Sequence, residues 1–222
     1  DHKRILRQAA SSVQPKIVLD FGHGGHDPGF LNETVKEKDI NLQVGQQLAH
    51  LLKKKGYEVC LIRSGDEYLA LDKRTAIAQR CSGAVALISI HANSASKPET
   101  CGIETFCHVP DLFRTHVKHG DEKLLAHVGL LDKNITDQSF TLAHAVHKQV
   151  LKHAKKQHDQ VVDRKVKHKV SQLLLGSEMP SILIELGYLT NQEESELLQD
   201  KKYQQKLALG MSEGIDEFCR MM

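Results

Sequence analysis

The feature that most constrains this chain is an alternation between short runs rich in β-branched residues and longer stretches with helical apolar spacing. KIVLD (16–20), YEVCLI (57–62), AVALISI (84–90), GIETFC (102–107), SQLLL (171–175) and SILIEL (181–186) all have strand length. Most carry apolar residues in succession rather than in alternation, which predicts strands buried on both faces of a parallel sheet. Between them, Ile40, Val44, Leu48, Leu51 and Leu52 form one helical face, closed by Gly56 after three lysines. Asp72 is placed to cap a helix burying Ala76, Ile77 and Cys81, and 138–158 sets Leu142, Ala143, Val146, Val150 and Ala154 on one side. Tyr203, Leu207, Met211, Ile215 and Phe218 mark a final helix, and Thr190 with Glu193 reads as a capping box for a short helix before it. No repeat or linker divides the 222 residues. The expected fold is therefore one α/β domain over 16–222, after an N-terminal extension (1–15). It is a mainly parallel twisted sheet of about six strands with helices on both faces.

Charge is balanced at a net +2, so nothing calls for nucleic acid as a partner. The one basic stretch, KHAKKQHDQVVDRKVKHK (152–169), reads as a solvated helix end and loop in preference to an anion-binding face. No run approaches the ~20 apolar residues of a membrane helix, so no transmembrane segment is expected. The sequence starts at Asp1 with no charged-then-apolar leader, which fits a trimmed or mature form. The five cysteines contain no C-x-x-C pair. Cys101 and Cys107 at the two ends of a strand would lie roughly 20 Å apart, too far to bridge. Neither a disulfide framework nor a cysteine zinc site is expected. The connection 108–136 is far longer than the usual ~4–6 residues, which marks an insert near the active site. It carries many of the histidines and the helix-like DEKLLAHVGLL (121–131).

The first strand leads into LDFGHGGHDPG (19–29), with two histidines and four glycines. A tight turn needs only one or two residues at positive φ. This loop is therefore either held close to something its backbone must approach, or built around a ligand of its histidines. In open α/β sheets ligands bind beyond the carboxyl ends of the strands. His23 follows the first strand, His91 ends AVALISIH, Glu185 ends SILIE, and Glu37 opens the next helix with its N-terminus facing the same edge. One histidine near a strand end is more often structural than ligating. Glu185 is harder to dismiss, because a carboxylate is rarely buried without a partner. Two imidazoles and a carboxylate make an open three-ligand zinc site with room for water, and a second carboxylate can serve as base. His26, Asp27 and Glu33 are competing ligands that spacing does not separate.

Four segments, IVLDFGHGGHDPG, EKDINL, ISIHANS and MPSILIELGYLTN, come in an order and spacing that resembles the zinc-dependent N-acetylmuramoyl-L-alanine amidases (type 3), peptidoglycan hydrolases used in cell separation. The resemblance runs from about residue 16 to 218. It implies one Zn²⁺ per chain held by His23, Glu37 and His91, with Glu185 as the catalytic carboxylate, and it settles Glu37 over Glu33 because Glu37 opens EKDINL. Phe21 stands where the family usually has proline, and His26 where lysine or another polar residue is commoner. The implied reaction is hydrolysis of the amide between the lactyl group of N-acetylmuramic acid and L-alanine of the stem peptide. The implied setting is the periplasm or cell envelope, as a monomer, with an activator protein as a further partner. Stem peptides carry carboxylates, so Arg164, Lys165 and Lys167 are expected substrate contacts. Some members carry a helix between the same elements that plugs the site; whether 121–131 does so is left open by the sequence. The rival functions are a zinc carboxypeptidase trimming stem peptides and a non-catalytic wall-binding module. An intact base argues against the latter.

Overall fold

β1 (Lys16–Phe21) shows how the layers arise. Side chains alternate along a strand, so Ile17, Leu19 and Phe21 join one core while Val18 joins another on the opposite face. The first core is closed by α1 (Glu37–Lys54), α3 (Lys133–Gln157) and α6 (Lys201–Met221), and the second by α2 (Leu71–Arg80) and the single turn α4 (Gln172–Leu175). α3 and α6 pack closely because Gly214 lies against the main chain of Val146, where any Cβ would collide with the Val146 Cα. The computed structural model describes residues 14–108, 133–169 and 171–222. Nearly all of the expected N-terminal extension, and the expected helix 121–131, fall outside these residues.

Among the described residues the sheet has six strands. With β2 (Glu58–Leu61), β3 (Ala84–Asn93), β4 (Ile103–Cys107), β5 (Asp163–His168) and β6 (Ser181–Tyr188), the order is β2-β1-β3-β6-β4-β5. All neighbouring pairs are parallel except β4 with β6. The reversal follows from chain length. The short 94–102 link cannot make the crossover of a dozen or more residues that a parallel return needs, so β4 comes back antiparallel. The domain is thus the expected α/β unit with a mostly parallel, mixed sheet.

Several expected elements differ. SQLLL (171–175) is not a strand: α4 occupies Gln172–Leu175 and buries all three leucines, and a short apolar run is ambiguous between strand and buried helix by periodicity alone. DRKVKH (163–168), read as part of a solvated helix end and loop, is the edge strand β5, and charged side chains are how edge strands avoid further pairing. α2 starts after Ala70, which places Asp72 within its first turn, and its buried residues are Arg74 and Ala78 rather than Ala76 and Ile77. α5 (Gln192–Gln199) is capped by Asn191, whose side chain accepts from the Glu194 amide, and not by Thr190 with Glu193. α3 starts at Lys133, so the last residues of the expected insert are helical. Among the described residues no helix is long and apolar enough to cross a membrane.

The cysteine expectation is also corrected. Cys60 on β2 and Cys81 just past α2 form a disulfide, their Cα atoms 6.4 Å apart. The partners are 21 residues apart in sequence and meet only because α2 folds back over the sheet beside β2, so spacing alone holds no trace of the pairing. Cys101, Cys107 and Cys219 are free. Thiol titration of denatured, unreduced protein should therefore find three groups, against five after reduction. A C60S/C81S variant should lose about 3 kcal/mol of stability from the released loop. Five titratable thiols before reduction would refute the bridge.

Candidate metal centre

The loop after β1 is shaped by buried arginines. Arg63, just past β2, donates to the carbonyls of Phe21, Gly22 and Lys38 at 2.6, 3.1 and 2.9 Å. Arg74 on α2 pairs with Asp20 at 2.7 Å and also donates to the carbonyls of Phe21 and His23 at 2.9 and 2.6 Å. The second Asp20 oxygen accepts from Ser89 at 2.8 Å. The aspartate that ends the first apolar run is thus a structural anchor. This bracing keeps His23 at φ 63°, a left-handed conformation that costs a side-chain-bearing residue about 1–2 kcal/mol. Gly22 has no alternative, since a Cβ there would run into the His91 imidazole.

The turn presents His23 to Glu37. His23 Nε2 lies 3.1 Å from one Glu37 carboxylate oxygen and His91 Nδ1 lies 3.0 Å from the other. Glu37 is 6% exposed, and its oxygens also accept from the Phe30 and Ala92 amides and the Asn41 side chain. Asp27 Oδ2 holds His23 Nδ1 at 2.8 Å while its other oxygen accepts from the Gly29 amide. That contact aims the opposite ring nitrogen at Glu37, the usual way a carboxylate orients a ligating imidazole. Burial opposes charge on both partners, yet Glu37 and then Asp27 hold the His23 pKa up at about 9, and the two histidines hold the Glu37 carboxyl well below the usual carboxylate range.

His23, Glu37 and His91 each offer a ligand atom, all within 4.8 Å of one another. Two imidazoles and one carboxylate on one side of an open pocket match the donor set of a catalytic zinc site. Among the described residues no other histidine, cysteine or acidic group forms such a cluster. His26 stacks against Tyr68 with ring centroids 4.0 Å apart. Asp27 supports His23, and Glu33 is exposed on the surface.

Glu185 pairs in register with His91 across β6 and β3. It lines the same pocket as His23, Glu37 and His91, a cleft of about 590 Å³ that also includes Phe30, Ser94 and Lys169. Glu185 is 5% exposed, and its Oε2 has no hydrogen-bond partner among the described residues. Burial pushes its pKa up, with His91 pulling in the opposite direction. Lys169 Nζ stands 3.8 Å from its other oxygen, above the Phe106 ring. Of the expected substrate contacts, Arg164 and Lys167 both pair with the buried carboxylate of Glu104, and Lys165 pairs with Asp163. Among the described residues the lysine or arginine that lines the pocket is Lys169, which ends the basic stretch that the sequence pattern assigns to a solvated helix end and loop. Arg63 and Arg74 carry no motif that marks them in the sequence. The only signal for Arg74 is its place on the helix face it shares with Ala78.

Comparison with known proteins identifies the family and the fold. The family model described as N-acetylmuramoyl-L-alanine amidase (Amidase_3) matches residues 17–217. The protein YqiI of Bacillus subtilis (strain 168) is 32% identical over 212 residues, which is 95% of this chain and 88% of that protein. The crystal structure of an N-acetylmuramoyl-L-alanine amidase from Clostridium difficile 630 superposes with a TM-score of 0.77 at 31% identity, covering 94% of this chain and 98% of that one. The CwlD amidase of Clostridioides difficile, solved in complex with the GerS lipoprotein, gives a TM-score of 0.71 at 27% identity, covering 94% of this chain and 100% of that one. The chain belongs to the N-acetylmuramoyl-L-alanine amidase family.

Proposed function

We propose that this peptidoglycan amidase works through one zinc ion held by His23, Glu37 and His91, with Glu185 as the group that moves protons. The observation that carries the proposal is the pairing of an open His–Glu–His donor set with a buried carboxylate lacking a hydrogen-bond partner on one oxygen in the same pocket. Zinc held there would supply a water of pKa near 7 and polarise an amide carbonyl. Glu185 is placed to take one proton as that water adds to the carbonyl carbon, and to return it to the nitrogen of L-alanine as the C–N bond breaks. The proton left on the new carboxyl passes to the released amine, so the lactyl group of N-acetylmuramic acid ends as a carboxylate. Burial raises the Glu185 pKa above the ordinary carboxylate value, the direction that favours a group taking up and releasing a proton. Asp27 keeps the His23 ring turned inward throughout.

All four groups come from one chain, so the site is complete in a monomer. The substrate places the enzyme in the cell envelope. By analogy with the CwlD–GerS complex, an accessory protein is a fitting partner for this chain. The stem peptide carries carboxylates, and among the cations on and after β5 it is Lys169 that reaches the pocket.

Purified protein should hold about one zinc per chain. Exhaustive chelation should abolish release of peptide from peptidoglycan until zinc is restored, and activity that survives chelation would contradict the metal mechanism. The two carboxylates should also separate. Glu37→Ala should lose metal and, as a consequence, activity. Glu185→Gln should keep metal and fold while turnover falls by roughly 10²–10⁴, the usual effect of removing a positioned general acid–base. Metal analysis followed by mass spectrometry of digested peptidoglycan checks both. Zinc loss from Glu185→Gln with retention in Glu37→Ala would mean that the roles are exchanged.

A further inference from the structure

A second cleft, of about 670 Å³, opens directly beside the catalytic pocket. Phe30 lines both, and the chain passes from Ser94 in the first to Ala95 and Ser96 in the second. Its walls are rich in hydroxyls and amides, among them Ser96, Thr190, Gln192 and Gln199, with Phe30 and Leu189 supplying apolar surface. Among the described residues Glu196 is the one charged residue that lines it. Gln192 and Gln199 are tethered by their nitrogens, to the Glu196 carboxylate at 3.1 Å and the Ser195 carbonyl at 2.9 Å. Both amides are thereby held in place on exposed turns of α5.

The substrate of the proposed reaction has two chemically unlike arms on either side of the scissile amide. The stem peptide bears carboxylates. The glycan bears hydroxyls and N-acetyl groups, each of which donates or accepts a hydrogen bond without charge, and its lactyl carboxyl is masked as the amide until the bond is cut. The two clefts differ in the same way. Lys169 lines the catalytic pocket itself, whereas the adjoining cleft has, among its described lining residues, a single charge, Glu196, which would repel a carboxylate. We propose that this second cleft is the glycan subsite and takes N-acetylhexosamine units through Ser96, Thr190, Gln192 and Gln199, with Phe30 under a sugar face. The peptide arm is then left to the catalytic pocket, which Lys169 lines. The assignment rests on the amidase reading for the identity of the arms, while the cleft's affinity for neutral sugar can be tested without catalysis.

The kinetic test uses two soluble substrates that share one stem peptide and one scissile amide, the first built on a disaccharide and the second on a bare lactyl group. The wild-type zinc enzyme should prefer the disaccharide substrate at least tenfold in kcat/KM. Ser96→Trp, which fills the cleft from an exposed position, should cut that preference at least tenfold, and the milder Gln192→Ala/Gln199→Ala variant should lower it in the same sense. A wild-type enzyme indifferent to the sugar, or a preference that survives both variants, would overturn the assignment while leaving the amidase reading intact. The second arm titrates chitotetraose, a neutral N-acetylhexosamine oligomer, into the protein and follows backbone amide resonances. Saturable shifts confined to 94–98 and 189–199, and abolished in Ser96→Trp, support the subsite even if neither substrate is cleaved, a result that would count against the reaction alone. Absence of any such shift in the wild type, together with no sugar preference in turnover, rejects the subsite.

Discussion

A carboxylate withdrawn almost completely from water must be given partners or it cannot remain charged, and the upper rim of this molecule is organised around that requirement at Glu37. Five groups reach its two oxygens: the rings of His23 and His91, the amides of Phe30 and Ala92, and the Asn41 side chain. They arrive from three stretches of chain, so the position of Glu37 fixes the relation of the β1 loop, α1 and the end of β3. The buried guanidinium groups of Arg63 and Arg74 do the complementary work on the main chain, holding the carbonyls of Phe21, Gly22 and His23. Fixed carbonyls below and a fixed carboxylate beside it leave the His23 ring little freedom, and preorganisation of this kind makes three residues from separate elements into one ligand set.

Glu185 occupies the same pocket under opposite conditions. Glu37 is held low by two imidazoles and several donors, while Glu185 is held high by burial with one weakly placed cation, Lys169 at 3.8 Å. Two carboxylates of one residue type are thereby shifted in opposite directions. Environments that push two pKa values apart are the general means of assigning acid and base roles, and the proposed division between Glu37 and Glu185 follows that pattern.

Much of this was legible in the sequence, and the part that was not has identifiable causes. Successive apolar residues revealed β1, β3 and β6 because strands buried on both faces have no polar positions to hide them, and the helical faces of α1, α3 and α6 were clear for the corresponding reason. The four pocket residues were found because topology puts strand ends on one rim, and the family resemblance chose Glu37 among rivals that spacing left equal. β5 was missed because an edge strand made of charged residues has the composition of a loop. The three leucines of α4 misled in the other direction, since full burial erases the difference between the two periodicities. The Cys60–Cys81 bridge and the arginine brace were invisible because both depend on where α2 lands over the sheet, which no local pattern records.

The reversed direction of β4 explains why cations of similar appearance on one strand end with different tasks. Pairing antiparallel to β6 sets Glu104 directly across from Glu185, and two buried carboxylates side by side would each resist ionisation. Glu104 is instead kept charged, against the pull of burial, by Lys167, Tyr188 and Arg164, with Asn93 donating to the oxygen that Tyr188 also reaches. Arg164 and Lys167 are therefore committed to neutralising a neighbour of Glu185, which makes their loss a perturbation of Glu185 as well. Lys165, at φ 73° and paired with Asp163, turns away on the exposed side. Among the described cations of β5 and its end, Lys169 is the one that lines the pocket, so the end of the basic stretch that looked uniform in sequence is sorted by strand register into a structural pair, a surface charge and one residue beside Glu185.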